Sequence, residues 1–419
     1  MKIKLSLSVL LLTFSQTVLL SQSPVNSPNT QYGYGELSNL SFGAQKAMGG
    51  IGCGIREANI INPLNPASFS RVDSLTFMFD IAFTGQLAWY SDGFNSSRKP
   101  NATLDYVAMQ FPLYKNLGMG IGLKPVSQVG YKFGKIDRDS IISYSGSGGL
   151  NQVFGALSYN FNNLSLGVNA GYLFGNIYYL GNVAVSGVGD DYRQVEILSS
   201  SGLALDFGVQ YTHLLDKKQR IVLGAVYTPK VSVNGEYSNL KNTYNSSGIR
   251  MSDTLLLKYS YDMPETYAVG FSYTNGKKIL GGVDLSYQRW SDAKSPKFEG
   301  NADRYRFNNR VKINAGGEFT PDARSRSYFG RVRYRLGGNY ANSYISPVVN
   351  KKPYPFNEYG VSCGFGFPLS GGRSNLNLAF EYSKVMPKEK VTGLMDEQYL
   401  KFTVSYTFNE MWFFQRKIQ

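Results

Sequence analysis

Between residues 75 and 408 apolar and polar side chains alternate with a period of two. "LKFTVSYTF" (400–408) puts Phe402, Val404, Tyr406 and Phe408 on one face and Lys401, Thr403, Ser405 and Thr407 on the other. "SNLNLAFEYS" and "GGVDLSYQRW" repeat the pattern. Such alternation marks β-strands with one apolar and one polar face. It predicts strands near 75–90, 102–112, 117–131, 149–161, 164–178, 196–212, 220–234, 264–274, 278–290, 306–319, 325–341, 355–369, 374–384 and 397–408.

The connections separate a sandwich from a barrel. After even-numbered strands they read as tight turns: "YKN", "FNN", "LDKKQR", "TNGKK", "TPDAR" and "LSGGR". After odd-numbered strands they read as long loops, as in "GKIDRDSIISYSGSGG" and the stretch 236–262. A sandwich has no reason to sort its loops by side. A bacterial outer-membrane barrel has short periplasmic turns, long external loops and an even strand count. The fold class expected is therefore all-β: a 14-stranded antiparallel transmembrane β-barrel, with both termini in the periplasm. Closure removes the sheet edges that lipid cannot hydrogen-bond.

Composition agrees. Charged residues are 17% and aromatics 14%, with 31 Tyr and 45 Gly, and no apolar window after residue 22 is long enough for a membrane-spanning helix. "MKIKLSLSVLLLTFSQTVLLSQS" has a basic start, an apolar stretch and small flanking residues, as a secretory signal does over 1–22. Removing Lys2 and Lys4 lowers the formal charge from +14 to +12. That charge is spread over turns and one face of the strands, with no exposed basic helix, so nucleic acid is not an expected partner. Cys53 and Cys363 are too few for a disulfide scaffold, and their spacing leaves open whether they pair.

About fifty residues, 23–74, precede the first strand. They are Gly-, Asn- and Ser-rich and contain "NPLNPASFS". Proline fixes its own backbone angle and extends the residue before it. Asn62 and Asn65 can bond nearby backbone groups. A stiff, self-satisfied turn pair suits a segment folded into a lumen, where backbone groups must find partners. "FGAQKAMGGIGCGIREANIINPLNPASF" resembles the N-terminal hatch of the long-chain fatty-acid transporter (FadL/TodX) family. Asn65, Pro66 and Ala67 match its Asn-Pro-Ala motif, and "MPETYAVGFSY" and "NNRVKINAGGEFTPD" match more loosely. The resemblance implies fourteen strands, a hatch set by Asn62, Pro63, Asn65, Pro66 and Ala67, and hydrophobic ligands passing toward a lateral opening, without a cofactor. The domain division expected is a signal at 1–22, a hatch at 23–74, a barrel at 75–408 and a periplasmic tail at 409–419.

Two features do not fit a simple apolar channel. "GRVRYRLGG" places Arg331, Arg333 and Arg335 on one face, and the preceding strand aligns Arg306, Arg310 and Lys312. Arginine at lipid mid-depth costs ~2–4 kcal/mol, so these cations are expected to line the lumen as a basic ladder. They would serve an amphipathic anionic ligand or pair with Glu318, Asp284, Asp206 or Glu381. The tail "NEMWFFQRKIQ" offers Trp412, Phe413, Phe414, Arg416 and Lys417 to the membrane interface or to a periplasmic or outer-membrane protein.

Enzyme chemistry finds no support. His213 is the only histidine and falls beside the turn "LDKKQR". There is no H-E-x-x-H, G-x-S-x-G or zinc-spaced Cys/His cluster, and no metal is expected. The function expected from the resemblance is passive uptake of hydrophobic small molecules across the outer membrane; the alternative is a structural subunit of an outer-membrane machine for protein insertion or secretion. A wall gap leading to an apolar lumen favours the first. A sealed, salt-bridged lumen favours the second.

Overall fold

A computed structural model of the chain describes residues 27–93, 96–136, 139–185, 190–245, 248–295, 304–369, 373–391 and 393–411. Fourteen antiparallel strands close into a barrel with an N-terminal hatch in its lumen. They are β1 (Thr76–Ser91), β2 (Ser96–Tyr114), β3 (Leu117–Ile136), β4 (Ser140–Phe161), β5 (Leu164–Val185) and β6 (Asp191–Leu214). Next come β7, made of Gln219–Thr228 and Val231–Asn245, and β8, made of Gly248–Met263 and Glu265–Asn275. The rest are β9 (Ile279–Arg289), β10 (Arg310–Phe319), β11 (Arg333–Asn342), β12 (Phe356–Pro368), β13 (Asn375–Pro387) and β14 (Asp396–Met411). β14 pairs with β1 along the whole of β1, from Thr76↔Met411 to Ser91↔Asp396, which closes the ring.

The period-2 pattern decides which face is which. On β12, Tyr359, Val361, Cys363 and Phe365 point outward, while Gly360, Ser362, Gly364 and Gly366 are buried inward. On β4, Val153, Leu157 and Tyr159 point outward, and Gln152, Phe154, Ala156 and Ser158 inward. The outer surface is thus an apolar, aromatic belt suited to lipid. Prolines 229 and 264 break β7 and β8. Below them the two strands pair with each other, from Thr228↔Thr266 to Gln219↔Asn275. Above them Val231–Asn245 pairs with both β6 and the upper part of β8.

Several expectations need correction. The stretches 134–149 and 236–262, read as loops, are mostly strand. β6 runs for 24 residues, whereas about 9–11 suffice to span a bilayer. The surplus stands above the membrane on the side away from the short turns. Both faces meet water there, so apolar alternation fades while the backbone ladder continues. The connection after β10 is not tight: residues 320–332 fold over a helical turn, Tyr328–Arg331, tied by Asp322 N–H to Gly330 O (2.9 Å). Finally, Ser27 is not at the periplasmic end. Its hydroxyl donates to Glu397 near the outer start of β14, and Thr30 hydroxyl donates to Gly130 O (3.1 Å). The hatch therefore enters the outer half of the lumen and runs down to the start of β1.

Candidate functional site: the hatched lumen

The hatch organises itself around its two asparagines. The Asn62 amide donates to Gly52 O (2.7 Å) and Ile55 O (2.9 Å), and its oxygen accepts from Gln45 Nε2 (2.7 Å) and Leu64 N (3.1 Å). Asn65 donates to Cys53 O (2.8 Å) and Val209 O (3.1 Å) and accepts from Ala67 N (3.0 Å). Asn65 thereby caps the 3-10 turn Pro66–Ser70, with Pro66 at its first position, where a missing N–H costs nothing. Pro63 lies between the two asparagines, at the edge of a lumenal cavity. Arg56 staples the same turn, donating to Ala67 O (2.9 Å) and Ser70 Oγ (3.1 Å). Burial, with Arg71 and Arg220 nearby, lowers its pKa to about 10.

Lumen-facing polar side chains of the wall satisfy the remaining hatch backbone. Gln110 reaches Phe69 O (3.1 Å), Ser158 reaches Ala67 O (2.7 Å), Gln210 reaches Cys53 O and Ile55 O (both 3.0 Å), and Ser272 reaches Gly54 O (2.7 Å). Asp284 accepts from the N–H groups of Gly52 (2.5 Å) and Cys53 (2.8 Å), and Ser362 from that of Gly49 (2.8 Å). Contact is close because the wall offers glycine where the hatch backbone touches it. A Cβ at Gly167 would overlap Pro66 and Ala67, one at Gly224 the Cys53 carbonyl, and one at Gly337 Met48 and Gly49. Cys53 and Cys363 are both free: Cys53 is buried in the hatch and Cys363 faces outward.

The six cations of the expected ladder divide. Arg310 pairs with Glu358 (3.0 Å) and Arg335 with Glu318 (2.8 Å), with Arg333 at 3.9 Å from Glu318. Arg335 also donates to Asn377 Oδ1 (2.8 Å). Lys312 lines the same lumen near Glu358 and Glu381. Arg306 does not belong. Strand Tyr305–Phe307 pairs with Ile345–Val349 in a small outer sheet, a ladder that Asn308 N–H on Tyr344 O (2.8 Å) continues before β10 begins at Arg310. Arg331 does not belong either; it ends the helical turn at the periplasmic rim, and β11 starts two residues later. Three further ion pairs tie hatch to wall: Glu36–Lys401 (3.1 Å), Lys46–Asp105 (2.5 Å) and Glu57–Arg220. The β1–β2 ladder shifts between Ala82↔Tyr106 and Phe83↔Leu104, leaving Asp105 as an extra residue that reaches Lys46. The tail residues Trp412, Phe413, Phe414, Arg416 and Lys417 lie outside the described residues.

The wall also has a tear. β2 and β3 pair only from Tyr114↔Leu117 up to Val107↔Leu123. Above that the edge of β3 is taken by the hatch, with Glu36↔Gln128 and Leu37↔Ser127 paired and Ser38 N–H on Val126 O (3.0 Å). A cavity of about 320 Å³, lined by Leu104, Val107 and Leu123 among others, opens at this seam. The family resemblance implied a lateral opening without placing it, although Pro125 inside β3 was the local signal: proline marks an edge or a bulge, and β3 bulges between Pro125 and Ser127. Further in, a cavity of about 260 Å³ combines Leu37, Leu64 and Leu173 with Lys124 and Lys312. Lys124 is buried with its ammonium 5.2 Å from the Phe154 ring. Above both, Tyr34, Trp290, Phe307 and Tyr344 stack into a lid, Trp290 lying 4.5 Å from Tyr344 and 5.7 Å from Tyr34.

A closed, lipid-belted barrel whose lumen holds its own N-terminal segment defines an integral outer-membrane barrel with the FadL-type fold. Solved structures share this architecture. The P. putida toluene transporter TodX aligns at TM-score 0.59 and 14% identity, covering 90% of this chain and 100% of that one. A Pseudomonas aeruginosa FadL homologue aligns at 0.59 and 14%, covering 90% and 99%. A TodX deltaS2S3 mutant, described as a monoaromatic hydrocarbon channel, aligns at 0.61 and 16%, covering 88% and 99%. No curated protein sequence matches. The BamG family profile matches residues 2–419, and the chain belongs to the BamG family.

Proposed function

We propose that this protein is a structural subunit of a multi-protein outer-membrane machine that assembles or inserts other barrels. The observation that carries this reading is the bonding of hatch to wall. Side chains from β2, β4, β6, β8, β9 and β12 hold the hatch backbone, and ion pairs brace the lumen at both levels, Arg335–Glu318 near the periplasmic rim and Arg310–Glu358 and Glu36–Lys401 further out. Opening a path would break many bonds together, and each buried group left unpaired costs about 1–3 kcal/mol. Such a lumen suits a rigid body better than a gate. The family name, BamG, points the same way. The tail at 412–419 is the proposed docking peptide for a periplasmic partner.

The seam between β2 and β3 favours a second reading. Its cavity and the inner one are bridged by a third lined by Thr103, Pro125, Leu37 and Lys312. An anion on an apolar tail would find leucines and two lysines at the end of that route. Native mass spectrometry of the tagged protein from outer membranes in mild detergent tests both. Stoichiometric protein partners, lost when residues 412–419 are deleted, support the subunit. A monomer carrying a lipid-sized ligand, lost on Lys124→Met, supports uptake instead.

A further inference from the structure

The periplasmic turns of one sector of the barrel are loaded with cations. Lys217 and Lys218 sit between β6 and β7, Lys277 and Lys278 between β8 and β9, and Arg324 and Arg326 in the segment 320–332 between β10 and β11. All six are exposed. Backbone bonds hold the three turns side by side: Gly276 N–H on Lys218 O (2.6 Å) and Thr320 N–H on Lys278 O (2.8 Å). Among the described residues none of the six pairs with a carboxylate. Asp216 and Asp322, the acids in these turns, accept from the backbone N–H groups of Lys217 (2.5 Å) and Arg324 (2.9 Å). The rim differs elsewhere. The turn between β4 and β5 is Asn162 and Asn163, and Arg71 lies 3.9 Å from Asp73.

An apolar foot adjoins this charge on the lipid side. Ile279 and Phe319, paired at the base of β9 and β10, are exposed on the outer wall next to Lys278 and Thr320. The helical turn Tyr328–Arg331 folds against the same wall. Tyr334 shares the outward face of β11 with Leu336 and Tyr340. Its hydroxyl donates to Phe329 O (3.3 Å), and its ring packs edge-on against the outward Phe365, centroids 5.8 Å apart. The Tyr328 hydroxyl donates to Pro368 O (3.3 Å), and the Arg331 guanidinium lies 5.5 Å from the Tyr328 ring. Phe329 is left 72% exposed beside the lipid belt. A phenylalanine this exposed is unfavourable in water and favourable among acyl chains. Aromatics flanked by cations are the side chains that settle at headgroup depth.

We propose that this sector is a binding site for an anionic phospholipid of the periplasmic leaflet. The cations of the turns hold its phosphate, and its acyl chains lie along Ile279, Phe319 and Phe329. Guanidinium and ammonium groups suit phosphate oxygens, and basic clusters at a membrane surface favour lipids of net negative charge. A zwitterionic headgroup would leave the excess of cations uncompensated. An acidic protein docking from the periplasm would meet the turn tips but not Phe329, whose turn lies on the lipid side. The site is independent of whether the barrel works as a subunit or as a channel.

Native mass spectrometry of the tagged full-length protein, extracted from outer membranes with any partners it holds, tests the site. Phosphatidylglycerol and phosphatidylethanolamine of matched acyl chains are the probes. The barrel is expected to retain phosphatidylglycerol at least about tenfold better. Lys277→Gln, Lys278→Gln, Arg324→Gln and Arg326→Gln together should abolish that preference, whereas Lys115→Gln with Arg373→Gln, elsewhere on the rim, should not. Phe329→Ser should weaken retention of both lipids, with every variant still heat-modifiable on gels. Equal retention of the two lipids by the native barrel, a preference that survives the fourfold substitution, or a Phe329→Ser variant that holds lipid as the native protein does would overturn the site. Displacement of the lipid by excess inorganic phosphate would overturn it too, showing a phosphate site without an acyl component. Loss of a protein partner from the fourfold variant, with lipid retention unchanged, would assign the patch to an acidic protein instead.

Discussion

At the residue scale the hatch depends on two asparagines whose neighbours in sequence are prolines. The pairing was legible: Asn-Pro at 62–63 and 65–66 announces a rigid turn with self-bonding side chains. Their partners were not, because alternation tells which wall residues face inward but not which hatch atom each meets. Asn65→Ala removes the cap of the Pro66–Ser70 turn and leaves the Ala67 N–H without its acceptor. The loss of a cap costs ~1 kcal/mol and an unsatisfied buried group ~1–3 kcal/mol. The expected outcome is a lower temperature for the heat-modifiable shift on gels and earlier tryptic cleavage at Arg56 or Arg71. An unchanged melting temperature would show that Asn65 is not a support. Cys53 allows a second test. Burial and the adjacent Asp284 push its thiol pKa up, so the thiolate, the reactive form, is scarce at neutral pH. Maleimide at pH 7 should spare Cys53 in the folded barrel and label it after denaturation, when the pKa falls back. A Cys363→Ser background isolates the signal, and fast labelling in the fold would refute a sealed hatch.

At the element scale most strands followed the period-2 pattern, and the exceptions have physical reasons. Arg306 and Arg331 kept the alternation in sequence, yet the pairing of Tyr305–Phe307 with Ile345–Val349 and the turn at 322–330 take the backbone out of the wall. Alternation is necessary for a half-buried strand but does not exclude a polar loop that alternates by chance. The opposite error arose above the membrane, where strands without an apolar face persist through hydrogen bonding alone. The hatch–wall seal was invisible for another reason: a glycine in a strand signals close approach without naming what approaches. Gly167 now has a named neighbour. Gly167→Val drives a side chain into Pro66 and Ala67, and overpacking typically costs ~1–3 kcal/mol. Cells carrying it should become more sensitive to bulky antibiotics that the outer membrane excludes. Gly155→Val, where a Cβ meets nothing within 4 Å, should leave sensitivity unchanged. Equal effects from both would locate the defect in barrel folding rather than in the hatch.

At the scale of the whole molecule, the barrel was legible because its signal is redundant: fourteen weak strand patterns and one-sided turns point to the same closure. The route of the hatch was not, since a segment without periodicity carries no vector, and it is contacts such as Ser27 with Glu397 and Thr30 with Gly130 that place residues 27–30 in the outer half. That route matters for conductance, because the hatch fills the lumen along its length instead of closing one end. Replacing Pro63 and Pro66 with Ala frees the backbone at both turns, and Pro66 is the residue wedged against Gly167 and Gly208. In planar bilayers the native protein should show no steady current, and the double variant should flicker open, with openings more frequent at high salt. The salt effect follows because the hatch-to-wall pair Glu36–Lys401, with side chains 30% and 24% exposed, is wet enough to be screened. Openings without salt dependence would mean that hydrogen bonds alone hold the hatch. A variant as silent as the native barrel would mean that the wall side chains, Gln210 and Asp284 foremost, retain the hatch even when its own turns are loosened.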